Sequence, residues 1–158
     1  MRAFFNSDHA GNSITRISQN YFLIFMNCAP IHLFSKKQNS IETIFFGSEF
    51  VSINQCCEYV RGHRYKLRMM GIPVEMSTFF FGDNQYMLEN TSMPHSTLKK
   101  KSSSIAFQFV QEGVDKSEWR TTYINTHLNP LGICTKSLLG GEKRARLLLL
   151  IPRRFNIL

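Results

Sequence analysis

Two carboxylates in the first half of the chain have the residue types and positions expected of a metal site. Glu49 lies in a segment of helical periodicity, at the edge of its apolar stripe and about 60° from the stripe's centre at ~100° per residue. Asp83 follows a short apolar segment of strand-like composition, and α/β proteins place their sites at the carboxyl ends of such strands. A helix glutamate and a strand-end aspartate that converge on one face could bind a hard cation through oxygen.

The element that must position Glu49 is a long predicted helix. Asn39 and Glu42 have the spacing of a capping box at its start. Its apolar residues recur at steps of three, four or seven, and they are Phe46, Phe50, Ile53, Cys57, Val60 and Leu67. Gly71 and Pro73 supply the usual signals for its end.

The other elements predict an α/β domain with a mixed five-stranded sheet flanked by helices. Three strands precede the long helix, at Arg2–Asn6, Tyr21–Met26 and Ile31–Ser35. Their short connections favour antiparallel neighbours, whereas a helical crossover favours parallel addition of the two later strands. The elements after the long helix are a strand at Ser77–Phe81, a helical turn or two at Asn84–Glu89, a helix at Thr97–Glu112 stopped by Gly113, a strand at Trp119–Thr126 and a short helix at Pro130–Leu138.

Composition indicates one globular domain with a polyanionic partner. The chain has 158 residues, 43% of them hydrophobic, which is enough for a real core. Its net charge of +8 favours nucleic acid as the partner, followed by an anionic membrane. The alternative is a basic soluble domain without a polyanionic partner. We expect residues 1–139 to form the domain and residues 140–158 to be a basic and apolar tail.

Cysteine and histidine spacing predicts neither a disulfide framework nor a zinc site. The four cysteines show no CxxC pattern, and none of the five histidines forms an HxxxH pair. We interpret the cysteines as reduced thiols of an intracellular protein. The chain opens without a signal peptide, and its apolar runs are too short to span a membrane, so a cytoplasmic or nuclear location is expected.

Several short motifs follow one another in a characteristic order. They read SDHAGN in the first turn, SKKQN before the long helix, GSEF within it, FGDN after the fourth strand, STLKKK later, and NP followed by TKSL near the end. This set resembles the ribonuclease H region at the C-terminal end of a copia-type LTR retrotransposon polyprotein, over nearly the whole chain. The resemblance implies a ribonuclease H-like fold, an RNA–DNA hybrid as substrate, Mg²⁺ or Mn²⁺ as cofactor, and the polymerase domain of the same polyprotein as ancestral partner.

The resemblance also implies where the four metal-binding carboxylates of the family would fall. The helix glutamate matches Glu49 and the strand-end aspartate matches Asp83. The first-strand aspartate falls on Asn6, while Asp8 matches a second aspartate that is not the usual ligand. The last aspartate falls on Gly132. Asn6 and Gly132 are therefore degenerate positions of the implied catalytic set.

These replacements weaken the implied two-metal chemistry. Two divalent ions about 3.5–4 Å apart activate a water and stabilise the leaving oxygen in such sites. Mg²⁺ prefers anionic oxygen ligands, but Asn6 brings no charge and Gly132 brings no side chain. We therefore expect a degenerate ribonuclease H-like domain that is inactive as written. The affinity for the second ion should fall most.

Three functions of different classes stay open on the sequence. The chain could be a nuclease on RNA–DNA hybrids, a non-catalytic basic module that binds nucleic acid, or a decayed transposon fragment with no selected role. Lys99, Lys100 and Lys101 form a basic run that could contact phosphate, although such a run is usually only a solvated helix start. The chain begins at the first strand without a polymerase domain, which favours an origin as part of a longer polyprotein.

Overall fold

The structure is a computed structural model, and it describes residues 1–11, 14–39, 45–92, 104–135 and residue 145. The strands in these ranges are β1 Arg2–Asp8, β2 Gln19–Met26, β3 Ala29–Lys37, β4 Thr78–Gly82 and β5 Trp119–Tyr123. The helices are α1 Phe45–Met69, α2 Gln85–Ser92, α3 Ser104–Asp115 and α4 Gly132–Thr135, and a 3₁₀ turn covers Thr126–Leu128. The predicted tail at 140–158 lies outside the described residues except for residue 145.

The five strands form one mixed sheet in the order β3-β2-β1-β4-β5. β1 pairs antiparallel with β2, and β2 pairs antiparallel with β3. β4 pairs parallel with β1, and β5 pairs parallel with β4. The predicted sheet is therefore confirmed. A two-residue turn joins β2 to β3, whereas residues 9–18 join β1 to β2, and the parallel strands are reached through helical connections.

The sheet separates two hydrophobic clusters. Phe5 on β1 and Phe22 on β2 pack under α1 with Phe50 and Ile53, while Phe4 belongs to a second cluster on the other face. That second cluster also contains Tyr21, Leu23, Phe25, Ile124 and Leu131. Since successive strand residues point to opposite faces, the continuous apolar run of β1 is explained by burial on both sides.

The long helix ends as its sequence predicts. Gly71 adopts a left-handed φ of 74°, and its N–H donates to the Arg68 carbonyl at 2.9 Å. The N–H of Ile72 donates to the Leu67 carbonyl at 3.0 Å, which completes a Schellman motif. The predicted cap at the start cannot be followed, because residues 40–44 lie outside the described ranges.

Gly113 does not stop α3, which corrects the sequence-based prediction. The helix continues through Gly113 to Asp115. A Cβ on Gly113 would lie 1.9 Å from the indole of Trp119, so the missing side chain allows close packing of α3 against the start of β5. β5 also ends earlier than predicted, at Tyr123. Among the described helices, none is both long and apolar enough to cross a membrane.

Candidate metal site

Parallel pairing of β1 with β4 brings Asn6 and Asp83 to the same end of the sheet. Arg2 lies opposite Phe79, and Phe4 lies opposite Phe81. Asn6 lies two residues beyond the last paired residue of β1, and Asp83 follows directly after the end of β4 at Gly82. Both residues therefore lie at the carboxyl end of the central strands, where sites are expected in this class of sheet.

Two serine bonds fix the first turns of α1 over the same end of β1. The Ser7 hydroxyl donates to the Ser48 hydroxyl at 3.1 Å, and the Ser52 hydroxyl donates to the Asn6 carbonyl at 2.8 Å. All three serines are buried. Glu49 lies between the two helix serines in sequence, so these bonds hold its backbone over the strand end that carries Asn6.

Glu49 and Asp83 are brought together in a poorly solvated environment. Glu49 is only 7% exposed. Burial, followed by the negative charge of Asp83, raises the pKa of Glu49 to about 7. Its Oε2 atom is buried and makes no hydrogen bond within the described part of the chain. A cation at this oxygen would offset both the lost hydration and the repulsion between the two acids.

Asn84 supports this pair, a role that the sequence did not suggest beyond a turn. A hydrogen bond from its side chain opposes the rise in the pKa of Glu49. Its Oδ1 accepts the Met87 N–H at 3.0 Å, which caps the start of α2. The same amide thus links the first turn of α2 to Glu49, and the GDN motif was the available signal.

Asn6 is buried, and its side chain accepts a hydrogen bond from the next residue. It is 6% exposed, and its Oδ1 accepts the N–H of Ser7 at 2.8 Å. It lies two residues from Phe4 and directly opposite Tyr21, so its side chain shares their face rather than the face of Phe5 and α1. Glu49 and Asn6 therefore approach the end of β1 from opposite faces of the sheet.

Asn129 holds the start of α4 against the central strand. Its Nδ2 donates to the Phe5 carbonyl at 3.3 Å, and its Oδ1 accepts the Leu131 N–H at 3.1 Å. Gly132 is buried, opens α4 and has no left-handed φ. In the sequence, the only signal for Asn129 is the NP pair of the last motif.

Asp8 turns away from the paired acids. A Cβ on Gly11 would lie 1.7 Å from an Asp8 carboxylate oxygen, so this carboxylate folds under the Gly11 turn. Asp8 also adds to burial in raising the pKa of Tyr21, which lies on the face opposite α1. Among the described residues, no group of three or more acids, histidines or cysteines could hold a metal. The side chains present fit one divalent ion held by Glu49 and Asp83, and they do not fit a pair of ions.

A basic edge lies at the same end of the sheet. Lys36 is opposite Asn20, which is itself opposite Ser7, and Lys37 is level with Asp8 through the same ladders. Both lysines are exposed, two strands or about 10 Å from the end of β1. The other predicted basic run, Lys99 to Lys101, lies outside the described residues.

Among known proteins, the similarity to this chain is found in a solved structure. No protein-family model matches the chain, and no curated protein matches it. Among solved structures, LC11-RNase H1, a ribonuclease H1 isolated from compost by a metagenomic approach, matches with a TM-score of 0.58 and 14% sequence identity. The match covers 94% of this chain and 90% of that one. The chain is therefore an α/β protein with a ribonuclease H-like fold.

Proposed function

We propose that this chain is a degenerate ribonuclease H-like domain, derived from a copia-type retrotransposon polyprotein, which binds RNA–DNA hybrids and is inactive as a nuclease. The observation that supports it best is the buried Glu49 carboxyl, whose pKa is raised by burial and by the negative charge of Asp83 at the end of the central strands. These are the two family carboxylates that the sequence retains, and they belong to different elements. Their juxtaposition is unfavourable without a cation, as in sites built to hold one.

Glu49 and Asp83 would hold a single Mg²⁺ or Mn²⁺ ion. Such an ion acts as a Lewis acid toward a phosphoryl oxygen and favours ionisation of a bound water. The chain's own contribution is to present the unpaired Oε2 of Glu49 and to hold that side chain through Asn84. Asn6 and Gly132 supply no charge, so the site lacks the anionic ligands that a second ion would need.

The basic edge supports hybrid binding. Lys36 and Lys37 lie level with the strand end beside the acid pair, where a phosphate backbone that passes the site would reach them. Contacts of this kind give affinity without sequence specificity, and they weaken as salt rises. The candidate of a non-catalytic nucleic-acid-binding module rests on these same lysines, and loss of every selected role is the remaining alternative.

The test is a paired assay of cleavage and binding on one RNA–DNA hybrid. We expect negligible cleavage of the RNA strand in Mg²⁺, together with salt-dependent binding of the uncleaved hybrid. Duplex DNA serves as the competitor, and Glu49→Gln serves as the variant that removes the charged ligand. Efficient cleavage that Glu49→Gln abolishes would contradict the inactive part of the proposal. Absence of hybrid binding at low salt would favour the decayed fragment.

A further inference from the structure

A second group of titratable side chains lies far from the paired acids. His32 on β3 and His63 on α1 have ring centroids 5.7 Å apart, with an angle of 61° between the ring planes. His63 follows Glu49 by 14 residues in α1, which is about 21 Å at the rise of an α-helix. This histidine pair therefore has no part in the site already described.

Aromatic packing holds the His32 ring in place. Phe22 stacks on it at a centroid distance of 5.8 Å, and Tyr59 approaches it at 4.8 Å. Tyr59 lies four residues before His63, so both come from one face of α1. The Nε2 atom of His63 is buried and has no hydrogen-bond partner in the described structure, so it is a nitrogen in need of a ligand.

The spacing of the two rings matches a shared metal ion. A zinc–nitrogen bond of about 2.0–2.1 Å and about 1.1 Å more to the ring centre put each centroid about 3.2 Å from the ion. Two such rings would have centroids about 5.2 Å apart at a tetrahedral angle and about 5.5 Å apart at a trigonal one. The observed 5.7 Å is close to both values, and small side-chain rotations would remove the difference.

We propose that His32 and His63 form a two-imidazole site for a divalent transition-metal ion of the zinc class, which has no part in nuclease chemistry. An open surface cavity of about 260 Å³ adjoins His63 and is lined by Glu58, Tyr59, Gly62, His63 and Lys66. Gly62 leaves open space above the helix, because a Cβ there would meet nothing within 4 Å. Water from this cavity would complete the coordination of a bound ion.

The chemistry of the two rings selects the ion. Neutral imidazole binds Zn²⁺, Ni²⁺ and Cu²⁺, whereas Mg²⁺ requires oxygen ligands. Burial, with the neighbouring charges of His32 and Lys66, lowers the pKa of His63, so this ring is neutral and available for binding at neutral pH. The histidine pair would therefore prefer a different metal ion from the acid pair, which would prefer Mg²⁺ or Mn²⁺.

Thermal unfolding of the whole chain in ZnCl₂ and in MgCl₂ tests the site. At a zinc concentration about a hundred times its Kd, we expect Tm to rise by about 5 °C or more. His32→Gln and His63→Gln should each abolish that rise. His127→Gln removes an exposed histidine as the matched control, while Glu49→Gln and Cys28→Ser exclude the acid pair and an exposed thiol. All three controls should keep the rise.

A spectroscopic readout on the unmodified chain keeps the inference testable if a histidine variant fails to fold. Substoichiometric Ni²⁺ should selectively broaden the imidazole NMR signals of two of the five histidines. The Co²⁺ complex should show no intense thiolate charge-transfer band. A zinc-induced rise that survives both histidine substitutions, or broadening confined to His127, would overturn the proposal. So would the absence of any effect at millimolar zinc.

Discussion

The buried carboxyl group of Glu49 lies close enough to Asp83 for the charge of Asp83 to raise its pKa, and it accepts a hydrogen bond from Asn84. Burial and the charge of Asp83 raise the pKa of Glu49 to about 7, against an ordinary value of 4.5. Close to neutrality, the Glu49 carboxyl therefore changes between its neutral and its ionised form. Its behaviour with pH, metal and mutation provides direct tests of the site.

Glu49 should make the protein less stable as the pH rises. A raised pKa in the folded state means that the native protein binds more protons than the unfolded chain between about pH 4.5 and 7. The free energy of unfolding should fall across this window, by up to about 3 kcal/mol from this group. Glu49→Gln should remove that fall and leave a variant more stable than the parent at pH 8.

Urea titrations at pH 5 and pH 8 measure this effect. Glu75→Gln, at an exposed acid, should keep the slope of the parent. Saturating Mg²⁺ should flatten the slope of the parent, because a bound cation favours the ionised carboxylate. Equal pH dependence in the parent and in Glu49→Gln would show that Glu49 is not perturbed.

Asn84→Ala should have two measurable effects. Loss of the cap at the start of α2 should cost about 1 kcal/mol of stability. Loss of the hydrogen bond to Glu49 should raise the pKa of Glu49 further. A carboxyl ¹³C titration by NMR follows that pKa directly, with Asn90→Ala as the control on the same helix. A titration curve unchanged from the parent would rule out the proposed link.

The double variant Asn6→Asp with Gly132→Asp should gain cleavage of the RNA strand in Mg²⁺. It would add one carboxylate at residue 6, on the face of β1 opposite Glu49, and a second at the start of α4, near the end of the same strand. The backbone at Gly132 permits the change, because this residue opens α4 without a left-handed φ. Addition of Glu49→Gln should abolish the gained activity. A folded, metal-binding double variant that stays inactive would place the defect elsewhere in the chain.

Neutralising Lys36 and Lys37 should weaken hybrid binding and its salt dependence. Because the variant would neutralise two phosphates fewer, the slope of log affinity against log salt should fall in magnitude by about 1 to 2. The matched control is Lys66→Gln with Arg68→Gln, which removes the same charge from the last turn of α1. That turn lies at the other end of the sheet, near the start of β4, where Arg64 donates to the Met76 carbonyl. Equal losses of affinity from both pairs would indicate a diffuse electrostatic effect.

Two helical glycines should respond oppositely to alanine. Gly113→Ala would drive a Cβ into the Trp119 indole and should cost about 3 kcal/mol, as overpacking of a core does. Gly62→Ala meets open space within α1 and should stabilise the protein by about 0.5–1 kcal/mol. Chemical denaturation of both variants provides the comparison. A neutral Gly113→Ala would mean that α3 can shift away from β5.

The sequence by itself predicted the order of the strands and helices, and it singled out Glu49 and Asp83. Apolar spacing within α1 and along the strands depends on neighbours three or four residues away, or two in a strand, so it can be interpreted without the fold. Motif order then placed Glu49 and Asp83 on the elements where the structure has them. The prediction that Gly113 ends α3 was wrong, because this glycine makes room for the Trp119 ring on the following strand.

Contacts between distant segments were decided only by the tertiary structure. Strand pairing set Asn6 opposite Tyr21, on the face away from α1, and the fold brought Asn129 to the Phe5 carbonyl. They also brought together His32 and His63, whose spacing along the chain predicted no metal site. Local periodicity reports which side of its own element a residue occupies, whereas a site depends on where several elements meet.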